Sequence, residues 1–263
     1  MTKDINQQQP KDYLKLVNVI LAEAAKADFS VKILSTLVYG ANREGYPFLL
    51  LRSEEKTAKY NAVITAGFHG DEWYGIDSLL YALNDIDTDM FNLWIFPCAN
   101  PFGYSYSSRL NGERKGSNWK VGLRPTNELS LIFKNIPPKI DLFVDVHGDV
   151  DRYEVYAYER KLPDSPSLAA LALNDVLNYF DIYDAQTVYK EKCEGGVVTS
   201  KKEHTIEENM FEKRGAPYSI TLEIPGKTYG TNRTAGGARL ILATLNNYER
   251  VRQHRKAKRR IGE

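Results

Sequence analysis

A strand-like run that turns directly into a helix constrains this chain most, and it lies at residues 61–75, NAVITAGFHGDEWYG. Its first part is short and apolar, which predicts a buried strand. The turn after it carries His69, and the predicted helix begins near Glu72. Because these two side chains are three residues apart at a strand end, an imidazole and a carboxylate can reach one common metal ion.

Two later apolar runs also contain a histidine or an acid where a buried strand is expected. Residues 141–148, DLFVDVHG, carry His147, and residues 219–226, SITLEIPG, carry Glu223. An acid inside an apolar strand is costly unless it is paired or has a function. A catalytic zinc site needs a third protein ligand and an open position for water. These two runs therefore offer candidates for the missing parts of the site.

Strands alternate with helices along the chain, and this order predicts an α/β fold. We expect a single domain with a mixed, mainly parallel β-sheet flanked by helices over residues 12–263, after a disordered tail at residues 1–11. In such sheets ligands bind at the carboxyl ends of the strands. His69 and His147 fall just there, and Glu223 lies near the end of its strand.

Two long segments show no clear periodicity. Residues 102–125 are rich in Gly, Ser, Asn, Tyr and Arg and lie between two of the predicted strands. A loop of this length inside a compact domain is more often functional than idle, so it is the predicted substrate-binding loop. Residues 181–204 are expected to be irregular, with a break at Gly195 and Gly196.

Charge and hydropathy exclude several classes of partner. The formal net charge is +1, so nothing indicates binding to nucleic acid or to a membrane surface. No apolar run approaches the ~18 residues that span a bilayer, and the polar N-terminal residues do not resemble a signal peptide. The two cysteines, Cys98 and Cys193, do not indicate a disulfide framework, which favours a cytoplasmic location. The sequence carries no indication of an oligomeric state.

Four elements in chain order resemble the M14 family of zinc carboxypeptidases: His69-x-x-Glu72, Asn100-Pro101-Phe102-Gly103 with the downstream Arg109, His147, and Glu223 within TLEIP. The resemblance covers residues 60–226. The mass of the chain, 29.9 kDa, resembles that of the small bacterial members of the family. These include murein-peptide amidases and the succinylglutamate desuccinylase/aspartoacylase branch.

The resemblance implies a zinc-dependent hydrolase of amide bonds, with one Zn²⁺ per chain bound by His69, Glu72 and His147. The metal would keep a water and polarise the scissile carbonyl. Glu223 would take the proton of that water and later deliver it to the leaving amine. Arg109 matches the family's arginine that meets the developing oxyanion, and it is preferred over Arg114.

The sequence departs from the family where an asparagine–arginine pair binds the substrate carboxylate. Asn118 can stand for the asparagine, but Trp119 occupies the place of the arginine. Lys120 or Arg124 can supply the positive charge, although lysine lacks the planar fork of a guanidinium group. The predicted substrate-binding residues are Arg109, Asn118, Lys120 and Arg124.

Three further side chains are left open by the sequence. Asp145 lies two residues before His147 on the same strand face, so it either orients that imidazole or makes an ordinary polar contact. The family's phenolic tyrosine has no clear match. Tyr189 and Tyr218 are both possible by position.

The predicted function is a metallocarboxypeptidase or amidase that cleaves an amide bond near a carboxylate in a small peptide, for instance one derived from murein. A desuccinylase/aspartoacylase-like hydrolase of N-acyl amino acids is the close alternative. A second alternative is a catalytically weak domain that binds a metal and a ligand. It is motivated by Trp119, which occupies the place of the family's carboxylate-binding arginine. A metal-free structural domain would require His69, Glu72 and His147 to lie apart in the fold.

Overall fold

The predicted strands lie side by side in one sheet. The computed structural model describes residues 11–39, 43–53, 58–116 and 125–261, so residues 1–10 of the predicted tail lie outside the described residues. Within these ranges the strands are β1 Ser30–Tyr39, β2 Glu44–Arg52, β3 Tyr60–Ala66, β4 Phe91–Phe96, β5 Leu142–Asp149, β6 Tyr156–Lys161, β7 Thr187–Val188, β8 Glu191–Glu194, β9 Val197–Thr199 and β10 Tyr218–Pro225.

The sheet is mixed, with parallel strands at its centre. Its order is β1-β2-β4-β3-β5-β10-β6-β9-β8-β7. Strands β4, β3, β5 and β10 run parallel to one another. The pairings of β1 with β2, β2 with β4 and β10 with β6 are antiparallel. Strand β5 is buried along its whole length, as is typical of a parallel strand covered on both faces. The predicted α/β domain with a mainly parallel central sheet is confirmed.

Helices flank the sheet, and their described bounds are α1 Tyr13–Lys26, α2 Trp73–Ala82, α3 Pro101–Tyr106, α4 Asn127–Asn135, α5 Leu168–Asn174, α6 Ile206–Glu212 and α7 Thr231–Ile261. Helices α2 and α5 pack against α7, and α6 packs against β10. The longest helix, α7, is rich in arginine and lysine. Among the helices that the structure describes, none combines the length and the apolar character needed to cross a bilayer.

The expectation of irregular structure is wrong for part of both long segments. Helix α3 covers the start of residues 102–125, where the Asn100 side chain caps it by accepting the backbone N–H of Gly103 at 2.8 Å. Strands β7, β8 and β9 fall within residues 181–204 and extend the sheet beyond β6. These elements are two to six residues long, too short to show a periodic pattern in the sequence.

The register of the central strands brings the predicted site residues to one edge of the sheet. Glu223 on β10 is the direct partner of His147 on β5. Strand β3 runs parallel to β5 with Ala66 opposite Val146, and His69 follows the end of β3 by three residues. Because the carboxyl ends of parallel strands meet at one edge, these side chains become neighbours despite their distance in sequence.

Candidate metal centre

The turn between β3 and α2 positions His69 and Glu72. Gly67 has a φ of 70° there, a left-handed conformation that glycine adopts without steric cost. Gly70 packs so closely on α3 that an added Cβ would lie 1.8 Å from the carbonyl carbon of Gly103. These two glycines therefore fix the path of the turn that carries His69 to the sheet edge.

The ligand atoms of the three predicted metal residues converge. The Nδ1 atom of His69 lies 2.8 Å from Glu72 Oε1, and the Nδ1 atom of His147 lies 2.8 Å from Glu72 Oε2. The two Nδ1 atoms are 3.2 Å apart, and ligand atoms of all three residues lie within 4.8 Å of one another. Two imidazole nitrogens and one carboxylate are a donor set that fits zinc. The alternative of a metal-free structural domain requires these three residues to lie apart, and their convergence contradicts it.

Three backbone and side-chain contacts hold this donor set from behind. His147 Nε2 lies 2.9 Å from Asp145 Oδ2, and Thr65 Oγ1 donates to the other Asp145 oxygen at 2.7 Å. The backbone N–H of Gly148 donates to Glu72 Oε2 at 3.2 Å. A hydrogen bond at Nε2 fixes the ring and leaves Nδ1 free to face Glu72. Asp145 therefore orients the imidazole of His147.

The electrostatics of the centre favour charged forms of Glu72 and His147. Burial alone would raise the pKa of Glu72, but the imidazoles of His69 and His147 outweigh it and hold that pKa well below its usual range. Burial alone would lower the pKa of His147, but the carboxylates of Asp145 and Glu72 raise it well above its ordinary value. Both shifts favour an ion pair between the Glu72 carboxylate and the protonated imidazole of His147.

We expect zinc to bind the metal-free chain more weakly as the pH falls. Because the pKa of His147 is raised, its imidazole holds a proton to a higher pH, and this proton must leave before the nitrogen can bind a metal. Below the raised pKa, affinity should fall about tenfold per pH unit for each proton displaced. Calorimetric titration with zinc in buffers of different ionisation enthalpy measures both the affinity and the protons released. An affinity that stays constant across the neutral pH range would contradict this expectation.

Glu223 lies beside the donor set and lines the same cavity as His69 and His147. Burial raises the pKa of its carboxyl group to about 8, against the opposing influence of His147 and Arg109 and with a further contribution from nearby carboxylates. A carboxyl group with a pKa close to neutral can both accept and donate a proton near pH 7.

Arg109 reaches the centre from the segment after α3. Its Nη1 atom donates to Glu72 Oε1 at 2.6 Å and lies 3.9 Å from Asp71 Oδ2. The side chain is 53% exposed and lines the cavity beside the donor set. Arg114, the less favoured candidate, is exposed.

A cavity of about 570 Å³ opens onto the donor set. Its lining residues are His69, Arg109, His147, Tyr158, Tyr189, Ser200, Lys202, Glu203, Thr205, Glu207, Thr221 and Glu223. The structure thus brings Arg109 and Glu223 together with the predicted metal ligands. Asn118, Lys120 and Arg124, the other predicted substrate-binding residues, lie outside the described residues.

Tyr189, one of the two tyrosines that the sequence left open, lines the cavity. It lies on the turn between β7 and β8 with a φ of 46°, and its hydroxyl group donates to Asp149 Oδ2 at 2.9 Å. The hydroxyl group of Tyr156 donates to the same oxygen at 2.8 Å. Tyr218, the other possible tyrosine, is buried and donates to the carbonyl oxygen of Pro166 at 3.0 Å. Tyr189 therefore lines the cavity, whereas Tyr218 does not. Telling these two candidates apart requires the pairing of β6 with β9, which the sequence does not reveal.

Comparison with known proteins identifies the family that the sequence resembles. A family model described as Zinc carboxypeptidase matches residues 26–130, a stretch that contains His69, Glu72 and Arg109. The resemblance is thereby confirmed, and with it the prediction of a hydrolase that acts on peptide bonds. Among curated proteins, none matches the chain.

Solved structures share the fold across most of the chain. A candidate metallopeptidase from Shewanella amazonensis is 22% identical with a TM-score of 0.77, covering 90% of this chain and 92% of its own. A metallo-carboxypeptidase from Burkholderia cenocepacia is 20% identical with a TM-score of 0.67, covering 91% and 70%. A metallo-carboxypeptidase from Pseudomonas aeruginosa in complex with (2-guanidinoethylmercapto)succinic acid is 15% identical with a TM-score of 0.66, covering 92% and 70%. At these identities the likeness shows a common fold.

Proposed function

We propose that this chain, a hydrolase of the zinc carboxypeptidase type, cleaves an amide bond near a carboxylate in a small peptide. The observation that carries the proposal is the convergence of His69, Glu72 and His147 beside Glu223 and Arg109. A metal site, an acid–base group and a cation for developing negative charge are the parts that amide hydrolysis needs. Peptides derived from murein are one substrate group of this kind.

The three metal ligands would hold one zinc ion per chain. Bound zinc supplies a Lewis acid that acidifies a water and polarises the scissile carbonyl. The chain supplies the geometry, since Asp145 orients His147 and the N–H of Gly148 holds Glu72. The side chain of His69 is 12% exposed, which leaves one side of the site open to the cavity.

Glu223 would carry the proton in this reaction. In the metal-free chain its pKa of about 8 keeps it largely protonated at neutral pH. A divalent cation nearby favours the ionised carboxylate and therefore lowers this pKa. In the loaded enzyme, Glu223 can then accept a proton from water and later donate it to the leaving amine.

Arg109→Ala should lower kcat/KM for a peptide substrate by about 10²- to 10³-fold, because the variant loses the cation that meets developing negative charge. The matched control is Arg114→Ala, which removes an exposed arginine from the same segment. We expect the control to stay within about threefold of the unmodified enzyme. Steady-state kinetics on zinc-loaded protein compares the two. If kcat/KM fell equally in both variants, the loss would reflect the change in net charge and would contradict a role of Arg109 at the site.

Recognition of a substrate carboxylate would fall to Asn118 with Lys120 or Arg124, together with Arg109. Trp119 cannot provide the bidentate contact that an arginine makes. The Pseudomonas aeruginosa relative is in complex with a substituted succinic acid, which supports a small carboxylate-bearing ligand for this chain as well.

A turnover comparison tests the proposed function against its alternatives. Zinc-loaded protein is incubated with short peptides and, separately, with N-acetyl and N-succinyl amino acids, and released amino acid is measured. We expect release from the peptides. Release from the N-acyl amino acids alone would replace the proposal with an acylamino-acid hydrolase. Zinc and ligand binding without any turnover would replace it with a binding domain.

We also propose a cytoplasmic location. Cys98 and Cys193 are both free and buried, and unpaired thiols support a reducing compartment. The proposed substrates, small peptides or N-acyl amino acids, can be present in that compartment.

A further inference from the structure

A buried carboxyl group connects the segment that carries Arg109 to the core of the domain. Glu128 lies in the first turn of α4 and is fully buried. One of its oxygen atoms accepts a hydrogen bond from the hydroxyl group of Tyr39 on β1 at 2.7 Å. The other accepts a hydrogen bond from Nδ2 of Asn111 at 3.0 Å. Because a buried carboxylate is costly unless donors surround it, both partners stabilise Glu128 in this position.

Asn111 in turn closes the loop that follows Arg109. Its side chain is buried, and its Oδ1 atom accepts the backbone N–H groups of Glu113 and Lys115, each at 3.0 Å. Its own backbone N–H donates to the carbonyl oxygen of Lys115 at 2.9 Å. Since two donors occupy Oδ1, the amide nitrogen has to face Glu128. One side chain therefore both shapes the loop and connects it to α4.

Arg109 lies between this anchor and a second one at the metal centre. The carbonyl oxygen of Ser108 accepts the backbone N–H of Gly70 at 2.9 Å, and Gly70 directly follows His69. On the other side, Asn111 comes two residues after Arg109. The backbone of Arg109 is therefore held on both sides, by the turn that carries a metal ligand and by the core.

The side chain of Arg109 has little packing of its own. It is 53% exposed, yet its Nη1 atom lies 2.6 Å from Glu72 Oε1. A long, exposed side chain has many rotamers, so a fixed backbone increases the share of time that it spends in such a contact. Misplacement of a catalytic group by about 1 Å can cost about 10²-fold in rate. The two anchors of the segment therefore bear on the reaction.

A role in the stability of α4 alone explains the burial of this network but not its connections. An acid near the start of a helix is favourable because of the helix dipole, and in a capping box it bonds to the backbone of its own helix. The carboxyl group of Glu128 instead reaches β1 and the loop after Arg109. The ring of Tyr39 packs on the same loop, where a Cβ added to Gly112 would lie 2.1 Å from its Cγ atom.

We propose that Glu128 and Asn111 are positioning residues that hold Arg109 at the metal centre. This inference rests on the proposed function, because that function gives Arg109 its role in the reaction. Neither Glu128 nor Asn111 lines the cavity, so neither contacts the substrate. Their effect on the reaction passes through Arg109.

Glu128→Gln tests the inference because it keeps the size of the side chain and removes one acceptor. The amide can accept from Tyr39 or from Asn111, but not from both. We expect kcat/KM of the zinc-loaded protein for a peptide to fall about 10- to 100-fold. In the Arg109→Ala background the same substitution should cost less than about threefold, because the group that it positions is already missing. Lys115→Gln, which changes an exposed side chain of the same loop, should leave kcat/KM within about twofold.

Reversal of the hydrogen bond tests the pairing itself. In the double variant Asn111→Asp/Glu128→Gln, the amide donates to the introduced carboxylate, whose other oxygen still accepts the two backbone N–H groups of the loop. This variant should return kcat/KM to within about fivefold of the unmodified enzyme. Thermal unfolding establishes that each variant is folded. Asn111→Ala, which changes the loop alone, provides the same comparison if Glu128→Gln does not fold.

A second measurement does not need turnover. Nitrogen relaxation of the Arg109 Nε–H group, assigned by its loss in Arg109→Lys, reports how rigidly the guanidinium group is held. Its order parameter should fall below about 0.6 in Glu128→Gln and recover in the double variant. An unchanged order parameter in folded Glu128→Gln, or an equal loss of kcat/KM with and without Arg109, would overturn the inference. If none of the proteins hydrolyses peptides, the proposed function fails, and the order parameter alone decides whether Glu128 positions Arg109.

Discussion

Glu223→Gln should lower kcat/KM for a peptide substrate by about 10²- to 10⁴-fold while the protein still binds zinc. Glutamine has nearly the size of glutamate but cannot accept a proton, so the variant removes only the acid–base step. Glu223 lies beside His147 in the strand register and lines the cavity. Kinetics and zinc content are measured on the same samples, so that loss of metal is distinguished from loss of proton transfer.

A matched control for this substitution is Glu194→Gln. Glu194 lies on β8 with 85% of its side chain exposed, and its change should leave kcat/KM within about twofold. If Glu223→Gln binds zinc and retains most of its activity, Glu223 is not the acid–base residue. The proton would then have to pass through another group of the cavity.

His147→Ala should lower zinc affinity by more than about 100-fold. Loss of an outer partner of a metal ligand already costs about 10- to 100-fold in affinity, and His147 is itself one of the three donors. Asp145→Asn provides the graded comparison, because it weakens the hydrogen bond that orients His147 but removes no ligand atom. Competition with a chromophoric chelator measures both affinities.

The buried position of His147 requires a second variant. Removing this imidazole leaves Glu72 and Asp145 facing each other without their common partner, and that change can also destabilise the fold. His69→Ala removes a donor that is partly exposed, so it is expected to fold and to lose zinc as strongly. Folded His69→Ala and His147→Ala proteins that both keep full zinc affinity would rule out this donor set.

Much of the metal centre could be predicted from the sequence because each part lies at the end of a buried strand. His69 and His147 follow continuous apolar runs, and parallel strands of that kind end at a common edge. Glu223 was conspicuous because an acid in an apolar strand is costly. These signals are local, so they remain visible without knowledge of which strands pair.

The other wall of the cavity could not be predicted in this way. Tyr189 lies on the turn between the short strands β7 and β8, and Glu207 lies in the first turn of the seven-residue helix α6. The place of Tyr189 depends on the pairing of β10 with β6 and of β6 with β9, and that of Glu207 depends on the packing of α6 against β10. Such long-range pairing is set by the packing of the whole sheet. Residue type alone did not distinguish Glu207 from the other acids of this segment.

The clearest test of the account is a zinc titration of the metal-free protein in which released amino acid is measured after each addition. A short peptide that the zinc-loaded protein cleaves serves as substrate. The account predicts that activity rises in proportion to added zinc and stops rising at one zinc per chain. A protein that binds no zinc, or whose peptide hydrolysis is independent of added zinc, would contradict the assignment of His69, Glu72 and His147 as a catalytic metal site.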